Sequence, residues 1–463
     1  MAITDAGLGT TWTTGIGTFL THLVTDDYTG RLNDARNNSA PILGLIPSTS
    51  RKVAGKFIVE QVLTGRNPNA FGYVGEGGKL PDPGTTSAAT YAYRWRTCFA
   101  RLLFDGSILR ATNKEDVRFI DVIERDFQSC ADDMAQDQAR IMYNDGSGRL
   151  AQIQTGVNST GQTLVLNQSW ESVGTCTQPI SLYLSVGMRI AVISPDGATI
   201  KGVRTITAIG AETLGPPSTL AITLDSAVNS ATNDWIVKAQ YTGGTPTRVD
   251  TGHRNEPMGL MGILSDDGCL DGNGASSVAS NYTVVGADDY ATTSATHFQG
   301  VAVTNTFNQA IIMTGGGVLR PLTEGLLQLA QSKLEKTNNA KIDMMISNYG
   351  PRDGFGISLL GQKQYHNTTE LRGGWSVLDW NGKPWYVDRY CPDNRVLLLG
   401  LEGGGFIQHV NETFQPLNPY GPHWMRLPDD DKYQVPFVMS GNVGVGIRQR
   451  CGGQLTDLIS ASA

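Results

Sequence analysis

The chain has 463 residues, which corresponds to roughly two to four domains of ordinary size and excludes a peptide or a single small module. Its 36 Lys and Arg residues are outnumbered by 43 Asp and Glu residues, giving a formal net charge of −7, so no global positive field attracts polyanions and a dedicated sequence-specific DNA-binding protein is disfavoured. The charged fraction is 17% and 55 residues are glycine, which indicates little surface charge and many turns.

The amino-terminal region predicts an arm followed by a hairpin. Residues 1–50 are Gly/Thr-rich and then polar, with two short apolar patches, so we expect an extended arm rather than a domain. Two strand-like runs follow at 56–63 and 90–99, and the second alternates large and small side chains with the period of a half-buried strand. Residues 75–84 between them are rich in Gly and Pro, which predicts one long β-hairpin with a flexible tip.

A long amphipathic helix is the clearest element. Thr112 and Glu115 form a capping box that predicts its start. The residues of its apolar stripe recur at helical spacing: Ile120, Ile123, Phe127, Cys130, Met134 and Ile141. The Gly-rich segment 144–148 predicts its end. About 30 residues at 1.5 Å each would form a rod of roughly 45 Å, which is typical of a spine.

The rest of the chain alternates between short strands and one further helix. Short, evenly spaced strands over 152–250 predict a small β-barrel or sandwich. A second helix is predicted to begin near Pro321, with one apolar face made of Leu322, Leu326, Leu327, Ala330 and Leu334. Further strands are predicted at 342–346, 383–387, 396–399, 406–410 and 437–447. The fold class is therefore α+β, without regular βαβ alternation.

Signatures of enzymatic chemistry are missing from the sequence. Residues 77–80 fail the phosphate-loop pattern because Tyr73 and Leu80 occupy its first Gly and its hydroxyl positions. The sequence contains no Gly-x-Ser-x-Gly elbow and no His-x-x-x-His pair, and its six cysteines are far apart, so we expect reduced, mostly buried thiols. Residues 265–274 match a calcium loop only in part, and a solvated loop explains them better. We predict no catalytic, cofactor-binding or metal-binding residues.

Targeting signals are also missing. The N-terminus lacks a basic region followed by an apolar core, and no run approaches the ~20 apolar residues needed to cross a bilayer. We therefore expect no membrane partner and a chain that resides in a cytoplasm or in a particle assembled there.

Charge is distributed unevenly between the predicted hairpin and the predicted helix. Residues 51–110 contain nine basic and four acidic residues, whereas 112–145 contain four basic and nine acidic residues. Opposite charges suggest that the hairpin lies on an acidic helix, either its own or that of a neighbouring subunit. For a contact between subunits, the candidate residues are Lys56, Arg66, Lys79, Arg94, Arg96 and Arg101 on the hairpin, and Asp121, Glu124, Asp126, Asp132, Asp133 and Asp137 on the helix. Solvated faces explain the pattern equally well, and surface ion pairs contribute only ~0–1 kcal/mol each.

The order of these elements, including the helix end at 144–148 and the late strand at 382–387, resembles the major capsid protein of tailed bacteriophages, the Hong Kong 97-type fold. The resemblance implies the following regions: 1–50 N-terminal arm, 51–111 extended β-hairpin loop, 112–151 peripheral domain with the spine helix, 152–250 β-rich insertion domain, 251–375 axial domain, 376–434 peripheral strands, and 435–463 a C-terminal strand that returns to the axial domain.

The resemblance also implies a function. Such a chain would assemble into pentamers and hexamers of an icosahedral head, in the host cell cytoplasm, around double-stranded DNA contacted non-specifically on the inner face. Because the arm begins almost at Met1, we expect a separate scaffolding protein or none, with portal and decoration proteins as further candidate partners. The alternatives are an encapsulin-type nanocompartment shell and, from another class, a β-rich carbohydrate-binding protein or enzyme, which would need a pocket with convergent polar groups.

Overall fold

The structure is a computed structural model that describes the following residues: 42–49, 57–69, 72–80, 82–94, 96–106, 117–144, 146–155, 161–169, 179–195, 199–214, 218–240, 251–252, 255–257, 259–264, 297–298, 301–302, 310–315, 318–338, 340–359, 369–370, 376–401, 406–416, 425–427, 430–445 and 452–460. Its helices are α1 (Ile42–Leu45), α2 (Val117–Tyr143), α3 (Leu260–Ile263), α4 (Glu324–Asn338) and α5 (Tyr349–Leu359), with a 3₁₀ turn at Ile180–Tyr183.

The strands of the amino-terminal half are β1 (Ser48–Thr49), β2 (Phe57–Gly65), β3 (Ser87–Arg94), β4 (Arg96–Asp105), β5 (Arg149–Thr155), β6 (Thr163–Ser169), β7 (Arg189–Ile193), β8 (Ile200–Thr213), β9 (Thr219–Leu224) and β10 (Trp235–Lys238). Those of the carboxy-terminal half are β11 (His297–Phe298), β12 (Val301–Ala302), β13 (Ile311–Met313), β14 (Met344–Ser347), β15 (Thr369–Glu370), β16 (Ser376–Trp380), β17 (Lys383–Val387), β18 (Val396–Leu399), β19 (Phe406–Pro416), β20 (Met425–Arg426), β21 (Lys432–Val445) and β22 (Gly452–Leu455).

Two sheets form the body of the molecule. One has the strand order β13-β22-β18-β14-β17-β16-β15, and the other has the order β1-β19-β21-β20 with β4 also paired to β21. Strands β14 and β18 are buried on both sides, as their continuous apolar sequences require. Met344 and Leu397 face a core shared with the barrel, whereas Met345 and Leu398 face a second core under α4 and α5.

The grouping of the late strands differs from the expected one. Strands β16, β17 and β18 fall in 376–434, yet they belong to the seven-stranded sheet together with β14. The last region, 435–463, is also divided, because β21 pairs with β4 and β19 whereas β22 pairs with β13 and β18. The physical reason is burial: Val396 to Leu399 are almost entirely enclosed and need a strand on either side.

The region 51–111 is also not a single hairpin. Strands β2 and β3 pair antiparallel from Phe57 with Arg94 to Gly65 with Ser87. Of the predicted second strand, 90–99, residues 90–94 belong to β3, whereas residues 96–99 belong to β4, which pairs with β21 along ten residues. This long pairing buries Phe104 and gives β4 a hydrogen-bonding partner that a free hairpin lacks.

Helix α2 spans 27 residues, and its predicted capping box lies outside the described residues. Gly146 and Gly148 follow its end with φ of 85° and 75°, the left-handed conformation that glycine tolerates. Among its described side chains, those of Ala139, Arg140, Met142 and Tyr143 in the last turns are buried. The predicted stripe is only partly enclosed: Cys130, Met134 and Ile141 remain half-exposed, and the side chains of Ile120, Ile123 and Phe127 are outside the described set.

Six strands between residues 149 and 238 close into a barrel in the order β10-β5-β6-β9-β8-β7. Alternate residues such as Leu220, Ile222 and Leu224 on β9 point inward and are buried. The first and last strands of the barrel are neighbours, with Val237 opposite Arg149, so the chain enters and leaves the barrel at one place.

Helix α4 confirms the second predicted helix. Leu327, Ala330 and Leu334 are buried as the spacing predicts, and the Thr323 hydroxyl accepts the Leu326 N–H at 3.3 Å, which caps the amino-terminal end. In the carboxy-terminal half, β17 and β18 occupy the predicted ranges 383–387 and 396–399.

The chain that leaves the barrel closes the carboxyl end of α2. The Gly259 N–H donates to the Asn144 carbonyl at 2.9 Å. A Cβ at Gly259 would lie 2.4–2.5 Å from the carbonyl oxygens of Ile141, Met142 and Asn144, so only a glycine can approach the helix end this closely.

Gly259→Ala is therefore expected to lower the free energy of unfolding by about 1–3 kcal/mol, because three backbone oxygens must move to admit the methyl group. Urea denaturation followed by circular dichroism measures this loss. Gly325→Ala on α4 is the matched control, since a Cβ there has no neighbour within 4 Å, and it should be neutral or slightly stabilising. Equal effects from the two substitutions would contradict the role of Gly259.

Candidate inter-subunit contact surfaces

The segment that joins β2 and β3 has a defined shape. The Gly78 N–H donates to the Gly75 carbonyl at 2.9 Å, and Gly77 has a φ of 76°, as a type II turn requires at its third position. Below this turn, the Asn67 side chain donates to the Gly84 carbonyl at 2.7 Å. These local hydrogen bonds hold the two sides of the tip together.

Large apolar side chains are exposed on the hairpin. Tyr73 and Leu80 at the tip are 94% and 87% exposed, and Val74 and Leu63 are also exposed. Such a group of apolar side chains on a projecting element is typical of a contact surface, because covering them removes apolar area from water.

The hairpin carries no net charge. Residues 57–94 contain three basic residues, Arg66, Lys79 and Arg94, and three acidic ones, Glu60, Glu76 and Asp82. The basic excess of 51–110 therefore comes from its two ends. Lys56 lies outside the described residues, the side chain of Arg94 is likewise not described, and Arg66 and Lys79 are exposed.

Two of the predicted basic contact residues lie on β4, not on the hairpin. Arg101 is exposed, but Arg96 is only 9% exposed and faces the interior of its own subunit. Alternate side chains of a strand lie on the same face, so Arg96 and Phe104, the two buried residues of β4, share one face, although Cys98 between them is exposed. This burial leaves Arg96 little surface for a contact with a neighbouring subunit, and the contact stays a prediction.

The acidic residues predicted on α2 are in different environments. Asp137 forms an ion pair with Lys238 at the end of the barrel, within the same chain. Asp126 is half-buried, and this burial raises the pKa of its carboxyl group. Asp132 is half-exposed and Asp133 exposed, whereas the side chains of Asp121 and Glu124 are outside the described set.

A buried ion pair that the sequence did not reveal lies at the end of α2. Arg140 donates through both terminal nitrogens to Glu256, at 2.5 and 3.0 Å, and the Asn144 side chain donates to the same carboxylate at 2.9 Å. Burial lowers the pKa of Arg140, but the charge and hydrogen bonds of Glu256 outweigh it, so the net direction is upward. The pair joins positions 116 residues apart, and no local pattern signals such a contact.

Within the described ranges, no three His, Cys, Asp or Glu side chains lie close enough together to hold a metal ion. None of the described helices is both long and apolar enough to cross a membrane. Of the cysteines that the structure describes, Cys391 is buried, Cys130 is half-buried and Cys98 is exposed, so the expectation of mostly buried thiols does not hold for Cys98.

Comparison with known proteins gives likeness in structure alone. No protein-family model matches the sequence. No curated protein matches it either. Among solved structures, the chain is similar to the cyanophage A-1(L) capsid asymmetric unit, with a TM-score of 0.51, 12% identity, and coverage of 96% of this chain and 99% of that chain.

Two further structures show weaker likeness. The holo-SrpI encapsulin complex from Synechococcus elongatus PCC 7942 has a TM-score of 0.43 and 10% identity, covering 95% of each chain. The capsid of the native GTA particle has a TM-score of 0.43 and 10% identity, covering 94% of this chain and 95% of that chain. The cyanophage likeness, the strongest of these three, shows that the chain has a phage capsid fold, and the predicted α+β fold of Hong Kong 97 type is confirmed.

Burial of Arg96 and exposure of Arg101 on one strand give a matched pair of substitutions. Arg96→Glu should lower the free energy of unfolding by about 3 kcal/mol or more, because it puts a negative charge at a buried position that holds a guanidinium. Arg101→Glu should change it by no more than about 0.5 kcal/mol. Chemical denaturation of the subunit measures both values, and a stable Arg96→Glu variant would show that Arg96 is not held inside its own subunit.

Proposed function

We propose that this chain is the major capsid protein of a tailed bacteriophage, a structural protein that forms an icosahedral shell from pentamers and hexamers. The single observation that carries the proposal is the phage capsid fold, shared with the cyanophage chain over almost the full length of both. The location would be the virion, and assembly would take place in the host cell cytoplasm.

A projecting hairpin supports assembly from many copies. Strand β3 has eight residues, which at about 3.3 Å each extends roughly 26 Å from the start of β4 before the tip is added. A two-stranded hairpin is at best marginally stable in water. A second copy of the chain that covers its exposed apolar side chains would therefore stabilise both the hairpin and the shell.

The hairpin offers exposed apolar side chains but no net charge, which changes the hypothesis that opposite charges hold it on the helix. Because residues 57–94 carry no net charge, we assign the main stabilising contribution to the apolar residues Tyr73 and Leu80. Charge pairing would then be confined to groups at the surface: the exposed Arg66 and Lys79 on the hairpin, and the half-exposed Asp132 and exposed Asp133 on α2 of the neighbouring subunit. Such surface pairs would fix the register of the contact more than its strength.

The contents of the shell follow from the same proposal. Packaged double-stranded DNA would lie against the inner face without base recognition. A chain with a net charge of −7 has no strong attraction to the phosphate backbone, so the shell would contain the DNA rather than bind it tightly. A separate scaffolding protein and a portal protein would complete the particle, with a decoration protein as a further partner. No catalytic role is proposed for any residue.

Sedimentation velocity of the purified chain, alone and with a candidate scaffolding protein, tests the proposal when combined with negative-stain imaging of fast-sedimenting material. We expect discrete pentamers and hexamers or megadalton particles. A compact monomer of ~50 kDa under every condition would contradict shell formation. Closed particles that enclose proteins in the native host and never DNA would contradict the phage assignment and leave the shell in place.

Removing the apolar character of the tip should impair assembly. The double substitution Tyr73→Ser with Leu80→Ser is expected to raise the critical concentration for assembly at least ~10-fold, since each buried large apolar side chain contributes about 1.5–3 kcal/mol. Light scattering against protein concentration measures this shift. Both positions are exposed, so the melting temperature of the subunit should stay unchanged.

The matched control is the double charge reversal Arg66→Glu with Lys79→Glu on the same hairpin. We expect a smaller change in critical concentration, because exposed ion pairs contribute little. If the charge reversal blocked assembly while the serine variant formed normal shells, the hairpin contact would be electrostatic after all.

A further inference from the structure

A buried carboxylate joins three separate parts of the chain. Asp388 directly follows β17 and is only 2% exposed. Its Oδ2 accepts a hydrogen bond from the Tyr143 hydroxyl at 3.0 Å, and its Oδ1 accepts one from the Tyr390 N–H at 2.9 Å. The backbone N–H of Ile42 donates to the same carboxylate. One side chain thus binds the first residue of α1, the last residue of α2 and the turn after β17.

The backbone around Asp388 fixes this junction to the seven-stranded sheet. The Asp388 N–H donates to the Ser347 carbonyl on β14 at 3.0 Å, and the Cys391 N–H donates to the Asp388 carbonyl at 3.2 Å. Ile42, Tyr143 and Cys391 are fully buried and belong to the same hydrophobic core. The carboxylate therefore lies where water has little access, and closing the junction removes its hydration.

The groups around the carboxylate compensate for only part of the hydration free energy that it loses on burial. Burial raises the pKa of Asp388, while the hydrogen bonds from Tyr390, Tyr143 and Ile42 and the positive charge of Arg389 lower it, and the net direction is upward. Elements α1 and β14 contribute no charged or titratable side chain, as their sequences ILGL and MMIS show.

The other titratable groups near the junction act through the tyrosines. Burial and the adjacent Asp388 raise the pKa of Tyr143, with smaller contributions from Cys391 and from Tyr183 at the base of the barrel. Burial also raises the pKa of Tyr390, and Asp137 adds to this effect. Both phenols therefore stay neutral near pH 7, and Asp388 is the carboxyl group that hydrogen-bonds within the junction.

We propose that Asp388 makes the junction of α1, α2 and the seven-stranded sheet proton-coupled, so that the junction is tightest when the carboxylate is protonated and loosens when it ionises. When the junction opens, water hydrates the carboxylate and its pKa returns towards the ordinary value. The closed junction thus binds the proton more tightly than the open one. Its added stability is complete below the ordinary pKa and is lost as pH rises through the raised value.

Hydrogen exchange of the full-length chain tests this coupling. The protection of the peptide that contains Ile42 and Ile46, corrected for intrinsic exchange rates between pH 4 and 8, should fall as pH rises and then level off. The fall should reach up to about tenfold for each unit by which the pKa of Asp388 exceeds its ordinary value. Asp388→Asn should give a flat profile, because the amide cannot ionise, and Asp379→Asn on β16 is the matched control that should keep the wild-type profile.

A second variant keeps the proposal testable if Asp388→Asn does not fold. Tyr143→Phe removes a donor that favours the ionised carboxylate, so the midpoint of the fall in protection should move to higher pH. A flat wild-type profile, a pH-dependent profile in Asp388→Asn, or an unchanged midpoint in Tyr143→Phe would each overturn the proposal.

Discussion

The carboxyl end of α2 is the constraint on which the rest of the structure depends. A helix leaves its last carbonyl groups without partners, and burying them demands a donor from elsewhere. Here the Gly259 N–H supplies that donor, and Arg140 with Glu256 fixes the same returning segment by a buried ion pair. The barrel begins and ends beside this point, so satisfying one helix end also determines where about 90 residues attach.

The same helix end sets the relation between the two sheets. Tyr143, the last residue of α2, bonds to Asp388 of the seven-stranded sheet, while α2 itself lies along β4 of the other sheet. Strand β1 adds the segment after α1 to that second sheet by parallel pairing with β19. The early part of the chain therefore contacts both sheets. The two hydrophobic cores lie on opposite sides of β14 and β18.

The spacing of apolar residues along the sequence was enough to locate the elements that bury those residues. Strands β17 and β18 and the apolar face of α4 lie where the sequence pattern placed them, because each buries apolar residues of its own: Trp385 on β17, all four residues of β18, and Leu327, Ala330 and Leu334 on α4. Strand β4 was misassigned since its partner, β21, lies more than 300 positions away, and charge counts over 51–110 then attributed Arg96 to the hairpin. Of the candidate contact residues, the exposed Arg66 and Lys79 were correctly placed on the hairpin, but the exposure of Tyr73 and Leu80 depends on tertiary structure that spacing does not encode.

The adjacency of the two barrel ends, with Val237 beside Arg149, has an evolutionary consequence. Because both ends of the barrel meet at one point, the loops at its far side can lengthen, shorten or be exchanged without moving α2 or α3. Selection on the outer surface of the barrel is thereby separated from selection on the frame beneath it. A lineage can diversify this surface rapidly while the frame formed by α2 and the two sheets stays constant.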